Sequence, residues 1–315
     1  MTSPRKTRVA VVFGGRSPEH AISCVSAGNI LGALDPDEFE AVPVGITRAG
    51  QWVLTSGDPA QLAISGRQLP EITAASGTSV VLSGDPAARG LVVLDPAQFT
   101  KKLAVAAGIP TGPYAVLRAG QSLSEDDKRR LGLPVFVKPA RAGSSYGITK
   151  VSDWAELEVA VAAARAIDPK VLVEQGIVGR EIECGVLEGE YGGAPDASLL
   201  AEVRVVKDHE FYDFEAKYLD DACEYDIPAR LPDALTRQIQ DYARRTFVAL
   251  DCAGLARVDF FLSTDGEVFL NEINTMPGFT STSMFPRMWA ATGLEYPKLI
   301  SRLIRTALRR GTGLH

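Results

Sequence analysis

A chain of 315 residues with 46% hydrophobic residues, 23% charged residues and a net charge of −6 has the composition of a soluble globular protein of about two or three domains. The acidic balance argues against a nucleic-acid binder, because phosphate backbones are held by clustered Lys and Arg. No apolar stretch is long enough for a membrane span, the N-terminal VAVVF run is too short for a signal-peptide core, and Cys24, Cys184, Cys223 and Cys252 are spaced as buried free thiols. A cytoplasmic location is expected.

In chain order, residues 9–13 form an apolar run ending in Gly14-Gly15, the pattern of a parallel strand buried on both faces. Ser17 reads as an N-cap and Pro18 as the first residue of a helix running to about residue 34. Free backbone N–H groups at such a junction suit an anion. The spacing is not Gly-x-Gly-x-x-Gly, so no dinucleotide fingerprint is present. Glu19 fits the helix dipole as well as it fits a site. Residues 41–95 carry short strands at 42–46, 80–82 and 91–94 and little chemistry. A short helix at 99–107 is broken by Gly108-Ile109-Pro110, with a domain boundary near Ala97.

Residues 133–138, LPVFVK, predict a strand followed by the loop PARAGSSYG. That loop is either a surface loop or a cradle for phosphates, with Lys138 placed to neutralise them. Asp153 and Glu156 open a helix to about residue 166. A strand at 171–174 ends in Glu174, and residues 180–186 carry Glu181 and Glu183 on one face. These acids either face solvent or accept bonds from an adenine amino group and ribose hydroxyls. FYDFEAKY at 211–218 is a packed loop edge or an active-site lid. An amphipathic helix from Asp233 turns Leu235, Ile239, Tyr242, Ala243 and Phe247 inward, against the hairpin that follows. On the C-terminal helix, Arg302, Arg305, Arg309 and Arg310 form a solvated face opposite Leu299, Ile300, Leu303, Ile304, Ala307 and Leu308.

The richest stretch is RVDFFLSTDGEVFLNEINTMPG, residues 257–278. A two-residue Asp265-Gly266 turn pairs Thr264 with Glu267, which sets Asp259 opposite Glu272 and Arg257 opposite Asn274. All four side chains then share one sheet face. The face is either solvated, with Arg257 compensating two acids, or a hard-cation site. Adjacent carboxylates repel unless a cation or proton lies between them. Asp, Glu and Asn oxygens suit Mg2+, completed by substrate phosphates. His20, His209 and His315 are scattered and no Cys-x-x-Cys occurs, so no soft-metal site is indicated.

Five segments in this order, GGRSPEHAIS, LPVFVKPARAGSSYG, FYDFEAKYLDD, LARVDFF and NEINTMPGFTSTSM, resemble the D-alanine–D-alanine ligases of the ATP-grasp superfamily. The resemblance covers nearly the whole chain from Val9. It implies an α/β fold of three domains: an N-terminal substrate-side domain (1–97), a central ATP-grasp domain (98–177) and a C-terminal catalytic domain (178–315), with ATP between the last two. It also implies a homodimer that joins two D-alanine molecules for peptidoglycan synthesis. One D-alanine carboxylate is phosphorylated by ATP, and the amine of the second attacks the acyl phosphate. Mg2+ or Mn2+, as two ions, would sit on Asp259, Glu272 and Asn274.

Carried over by motif, Lys138, Gly143, Ser144 and Ser145 would hold phosphates. Glu174, Gly176, Ile177, Glu181, Phe211, Lys217 and Asn271 would meet the nucleotide. Arg257 and the Gly278 N–H would stabilise the oxyanion. Glu19 would bind the first ammonium group in a set with Ser144 and Tyr218. Lys217, Ser283 and Met284 would hold the second substrate. Tyr218 favours an amine nucleophile over the D-lactate used by related ligases of vancomycin resistance. The resemblance has one gap. Family members carry His-Gly, Glu-Asp-Gly and a nucleotide-contacting Lys before the Phe-Thr-Lys-Lys segment, whereas here Leu94-Asp95-Pro96-Ala97-Gln98 leads straight into Phe99. That gap keeps a non-catalytic nucleotide-binding homologue open as an alternative, beside a ligase that accepts D-lactate or another D-amino acid in the second position.

Overall fold

A computed structural model describes residues 6–65, 69–80, 96–140, 147–205 and 223–310. Its strands are β1 (Thr7–Gly14), β2 (Phe39–Ile46), β3 (Trp52–Thr55), β4 (Gly77–Val80), β5 (Tyr114–Leu117), β6 (Val135–Pro139), β7 (Thr149–Val151), β8 (Val171–Gln175), β9 (Gly179–Leu187), β10 (Asp196–Val205), β11 (Cys223–Asp226), β12 (Leu255–Ser263) and β13 (Val268–Asn274). Its helices are α1 (His20–Ala33), α2 (Pro96–Ala106), α3 (Glu125–Leu131), α4 (Leu157–Ile167), α5 (Asp233–Ala249), α6 (Met284–Ala291) and α7 (Tyr296–Arg310). The chain divides into two compact units, one drawn from Met1–Val92, Leu187–Ala194 and Met276–His315, the other from Val93–Val186 and Pro195–Thr275.

In the first unit β1 to β4 form a sheet in that order. β1 and β2 run parallel, which requires a crossover, and α1 supplies it. Cys24 and Ala27 of α1 pack on Val11, Phe13 and Val53. Burial of β1 on both faces is not borne out. α1 covers only the face of Val11 and Phe13, and Val12 is 49% exposed on a strand that is an edge among the described residues. α1 also starts later than expected. Ser17-Pro18-Glu19 form a turn in which the Ser17 carbonyl accepts from the His20 N–H at 3.1 Å and Ser17 Oγ accepts from the Glu19 N–H at 3.1 Å.

The basic face of α7 is paired rather than simply solvated. Arg305 Nη2 reaches both Glu38 oxygens at 3.0 Å, Arg310 Nη1 bonds Glu188 Oε2 at 3.0 Å, and Arg309 lies over the Tyr191 ring at 5.3 Å. Leu308, expected inward, is exposed. The free-thiol reading holds for Cys24, Cys184 and Cys252, whose sulfhydryls burial raises to about 11, 12 and 11.

The second unit holds two sheets. In the order β5-β8-β6-β7, antiparallel strands carry Val135, Val137, Val171 and Val173 under Leu157, Val161 and Ala164 of α4. In the order β11-β10-β9-β12-β13, Val258, Phe260, Leu262, Val268 and Leu270 meet Ile239, Ala243 and Phe247 of α5, as the helical spacing predicts. Each large side chain so buried contributes about 1.5–3 kcal/mol relative to exposure. Strands expected at 81–82 and 91–94, and the aromatic segment at 211–218, lie outside the described residues.

Candidate functional site

The β12–β13 hairpin sets Asp259 opposite Glu272 and Arg257 opposite Asn274, the pairing expected from sequence. The route to it differs. The turn is one residue longer than expected: Gly266 N–H bonds the Ser263 carbonyl at 3.0 Å and Ser263 N–H bonds the Glu267 carbonyl at 2.9 Å. Gly266 takes φ +83°, the left-handed position of a three-residue hairpin loop. From Leu262↔Val268 to Phe260↔Leu270 the register is therefore displaced by one residue. A bulge at Asn271 restores it before Asp259↔Glu272. The bulge also switches the face parity of β13. Val268 and Leu270 point into the core, while Glu272 and Asn274 point away from it. Beside the bulge, Leu270 N–H bonds the Pro110 carbonyl at 2.8 Å.

On the resulting face Asn274 Nδ2 donates to Asp259 Oδ2 at 2.9 Å and to Glu272 Oε1 at 3.3 Å. Three oxygen-bearing side chains thus converge, and with a cation present the amide would turn its oxygen to the same point. Asp259 is buried and Glu272 exposed, so the cluster opens on one side to solvent. This donor set fits Mg2+, which keeps part of its shell for water or phosphate. No group of three or more His, Cys, Asp or Glu side chains suited to a metal occurs among the described residues. The set is therefore two carboxylates and an amide.

Arg257 grips Asp259 through two of its three guanidinium nitrogens, Nε to Oδ1 at 2.8 Å and Nη2 to Oδ2 at 2.7 Å. Its Nε also lies 3.4 Å from Glu183 Oε2. Burial works against its charge, but Asp259 and Glu183 outweigh that and hold the guanidinium protonated. In the sequence Glu183 stands out only as sharing a strand face with Glu181. Its partnership with Arg257 has no local signal, because β9 and β12 are joined only by the sheet.

A second charge cluster lies on the β5-β8-β6-β7 sheet. Glu174 sits opposite Phe136, one diagonal step from Lys138, and Lys138 Nζ reaches Glu174 Oε2 at 2.6 Å. Lys101 of α2, which the sequence reading did not single out, reaches Glu174 Oε1 at 3.1 Å and the Asn271 carbonyl at 3.4 Å, over the Tyr114 ring. Burial would raise the Glu174 carboxyl, but the two ammonium groups hold it down at about 2. Burial lowers Lys101, whereas for Lys138 Glu174 and Glu272 outweigh burial and raise it. Lys138 thus remains a cation, felt both by Glu174 and by the Glu272 face. Gly176 follows β8 with its N–H on the Pro134 carbonyl at 2.8 Å, and Ile177 packs beside Gly112.

In the first unit Glu19 caps α1 and His20 is fully buried. Ile72 N–H donates to His20 Nε2 at 2.9 Å, so Nδ1 carries the proton and donates to the Gly15 carbonyl at 2.7 Å. Gly278 and Ser283 belong to the loop leading into α6. Ser283 Oγ accepts from the Thr280 N–H at 3.0 Å, and Met284 is buried at the first turn of α6. Asp259, Glu272, Asn274, Arg257, Lys138, Glu174, Gly176, Ile177, Glu181 and Asn271 all lie in the second unit; Glu19, Gly278, Ser283 and Met284 lie in the first. Gly143, Ser144, Ser145, Phe211, Lys217 and Tyr218 lie outside the described residues.

Two family profiles match the chain, one described as D-ala D-ala ligase N-terminus over residues 8–112 and one as D-ala D-ala ligase C-terminus over residues 103–305. A D-alanine–D-alanine ligase of Mycobacterium avium is 52% identical over 370 aligned positions, covering 100% of each chain. Those 370 positions against 315 residues leave at least 55 of the relative without a counterpart here. Among solved structures, the VanG D-Ala:D-Ser ligase of Enterococcus faecalis superposes with a TM-score of 0.78 at 27% identity, covering 96% of this chain and 99% of that one. A D-alanine–D-alanine ligase of Bacillus anthracis complexed with ATP gives 0.71 at 25% identity, covering 97% and 98%. The chain belongs to the D-alanine–D-alanine ligase family.

Proposed function

We propose that the protein joins two D-alanine molecules into D-alanyl-D-alanine for peptidoglycan precursor synthesis, using ATP. The observation that carries this reading is the convergence of Asp259, Glu272 and Asn274 on one sheet face, in a chain 52% identical to a relative of that name. Asp259, Glu272 and Asn274 would hold Mg2+, which when bound neutralises phosphate charge during transfer. Lys138 faces the phosphates, and Glu174, fixed by Lys101 and Lys138, presents its carboxylate toward the nucleotide. Arg257, kept cationic and immobile by Asp259 and Glu183, is the donor for the oxyanion that develops when the second amine attacks, with the Gly278 N–H as a further donor. Glu19 takes the first ammonium group, and Ser283 the second carboxylate. The division at residues 97 and 177, the homodimer and a cytoplasmic location belong to the same reading. No described helix is long and apolar enough to cross a membrane.

The test is phosphate release from ATP that requires D-alanine, with the dipeptide identified by mass. Equal release with L-alanine, or with no amino acid, overturns the reading. A second reading, nucleotide binding without ligation, is favoured only by the 55 or more positions that lack a counterpart. Under it ATP binds but no dipeptide forms at any D-alanine concentration.

A further inference from the structure

The loop between Met276 and α6 is held by α1 through side chains that the ligase reading leaves without a role. Ser26 and Asn29 are three residues apart and so face the same way on the helix. Ser26 Oγ accepts from the Phe279 N–H at 3.3 Å. Asn29 Oδ1 accepts twice from one residue, from the Ser281 N–H at 3.3 Å and from Ser281 Oγ at 3.0 Å. Asn29 is itself oriented by Nδ2, which donates to the Val25 carbonyl at 2.9 Å. From the far side Tyr296 Oη donates to the Phe279 carbonyl at 2.6 Å, and the Phe279 ring stacks between Phe285 and Tyr296 at 5.8 and 5.7 Å. The N–H groups of residues 279 and 281 are thereby satisfied by side chains of α1, and the Phe279 carbonyl by Tyr296 of α7, not by the loop itself. The segment so fixed begins next to Gly278 and ends two residues before Ser283.

We propose that Ser26 and Asn29 are positioning residues for the second D-alanine: they fix residues 279–281 and so aim the Gly278 N–H and the Ser283 hydroxyl. Because Glu19 caps the same helix, α1 is a common support for the groups assigned to both amino acids. The inference rests on the ligase reading for the identity of the ligand, but not for the existence of the tether. Loss of one such bond weakens a dependent interaction by about five- to tenfold.

The experiment compares Asn29→Leu, which removes the acceptor, with Asn29→Asp, which keeps an oxygen for both Ser281 donors and gives up only the Nδ2 bond to the Val25 carbonyl. Hydrogen–deuterium exchange over residues 276–283 is read alongside KM for ATP and for each D-alanine. The expected result for Asn29→Leu is faster exchange in this loop and a KM for the second D-alanine raised about five- to tenfold, with KM for ATP unchanged. Asn29→Asp lies between wild type and Asn29→Leu on both readouts. Unchanged exchange, an equal rise in every KM, or Asn29→Asp no closer to wild type than Asn29→Leu would overturn the proposal. If the wild-type chain makes no dipeptide, the ligase reading and the subsite assignment fall together, while the exchange data still decide whether the tether exists.

Discussion

Asn274 bonds both Asp259 and Glu272, so the three side chains already point at one place. Glu272 is the most exposed of the three, and its replacement disturbs packing least. Glu272→Gln should raise the Mg2+ concentration needed for half-maximal activity by about 10- to 100-fold or more, since even partners outside a metal's own ligands cost that much. An unchanged Mg2+ titration would remove Glu272 from the site. Glu174 gives a second prediction. Its carboxyl lies at about 2 against an ordinary 4.5, so it stabilises the fold fully above the ordinary value and loses that contribution as pH falls from 4.5 toward 2. The shift corresponds to on the order of 3 kcal/mol at neutral pH. Urea unfolding should show wild type losing stability through this window. Glu174→Gln should be weaker at pH 7 and flatter in acid, and parallel pH curves would contradict the assignment. The acids and Lys138 were legible because each ends or lines a strand with a clear pattern. Lys101 was not, because it meets Glu174 only through the packing of α2 against β13 and its neighbours, which leaves no trace in local spacing.

At the scale of the element, the hairpin succeeds through two compensating features. The face pairing of Arg257, Asp259, Glu272 and Asn274 was readable from alternation, yet the turn is longer than Asp-Gly suggests and the Asn271 bulge corrects the register. Without the bulge Val268 and Leu270 would share a face with Glu272, and alternation alone cannot reveal an inserted residue. The turn depends on Gly266 at φ +83°, where an added Cβ meets nothing within 4 Å. Gly266→Val should therefore cost about 1–2 kcal/mol from backbone conformation alone. Urea denaturation should record that loss, and a variant as stable as wild type would argue against the left-handed turn. α1 illustrates the opposite limit. Its place after β1 was legible from the Gly14-Gly15 and Ser17-Pro18 signals, but the roles of Ser26 and Asn29 were not, since their partners lie about 250 residues away in the chain.

For the whole molecule, the order of five motifs carried the family, and the architecture followed from it: two sheets in one unit, with Lys138 and Glu174 on one and Asp259, Glu272 and Asn274 on the other. The direct run from Leu94 to Phe99 was the departure visible in the sequence, and the comparison with the Mycobacterium avium ligase leaves 55 or more positions without a counterpart here. ATP with Mg2+ should raise the melting temperature, because a ligand that binds only the folded chain stabilises it by about 2.7 kcal/mol at a hundred times its Kd. EDTA should abolish most of that rise; a rise of equal size in EDTA would separate nucleotide binding from the carboxylate pair. The most direct measurement is phosphate release from Mg-ATP by the purified chain with and without D-alanine, with the product weighed. Release should rise with D-alanine, and D-alanyl-D-alanine should form in step with phosphate. Release indifferent to D-alanine, or bound ATP with no dipeptide, would contradict the ligase function.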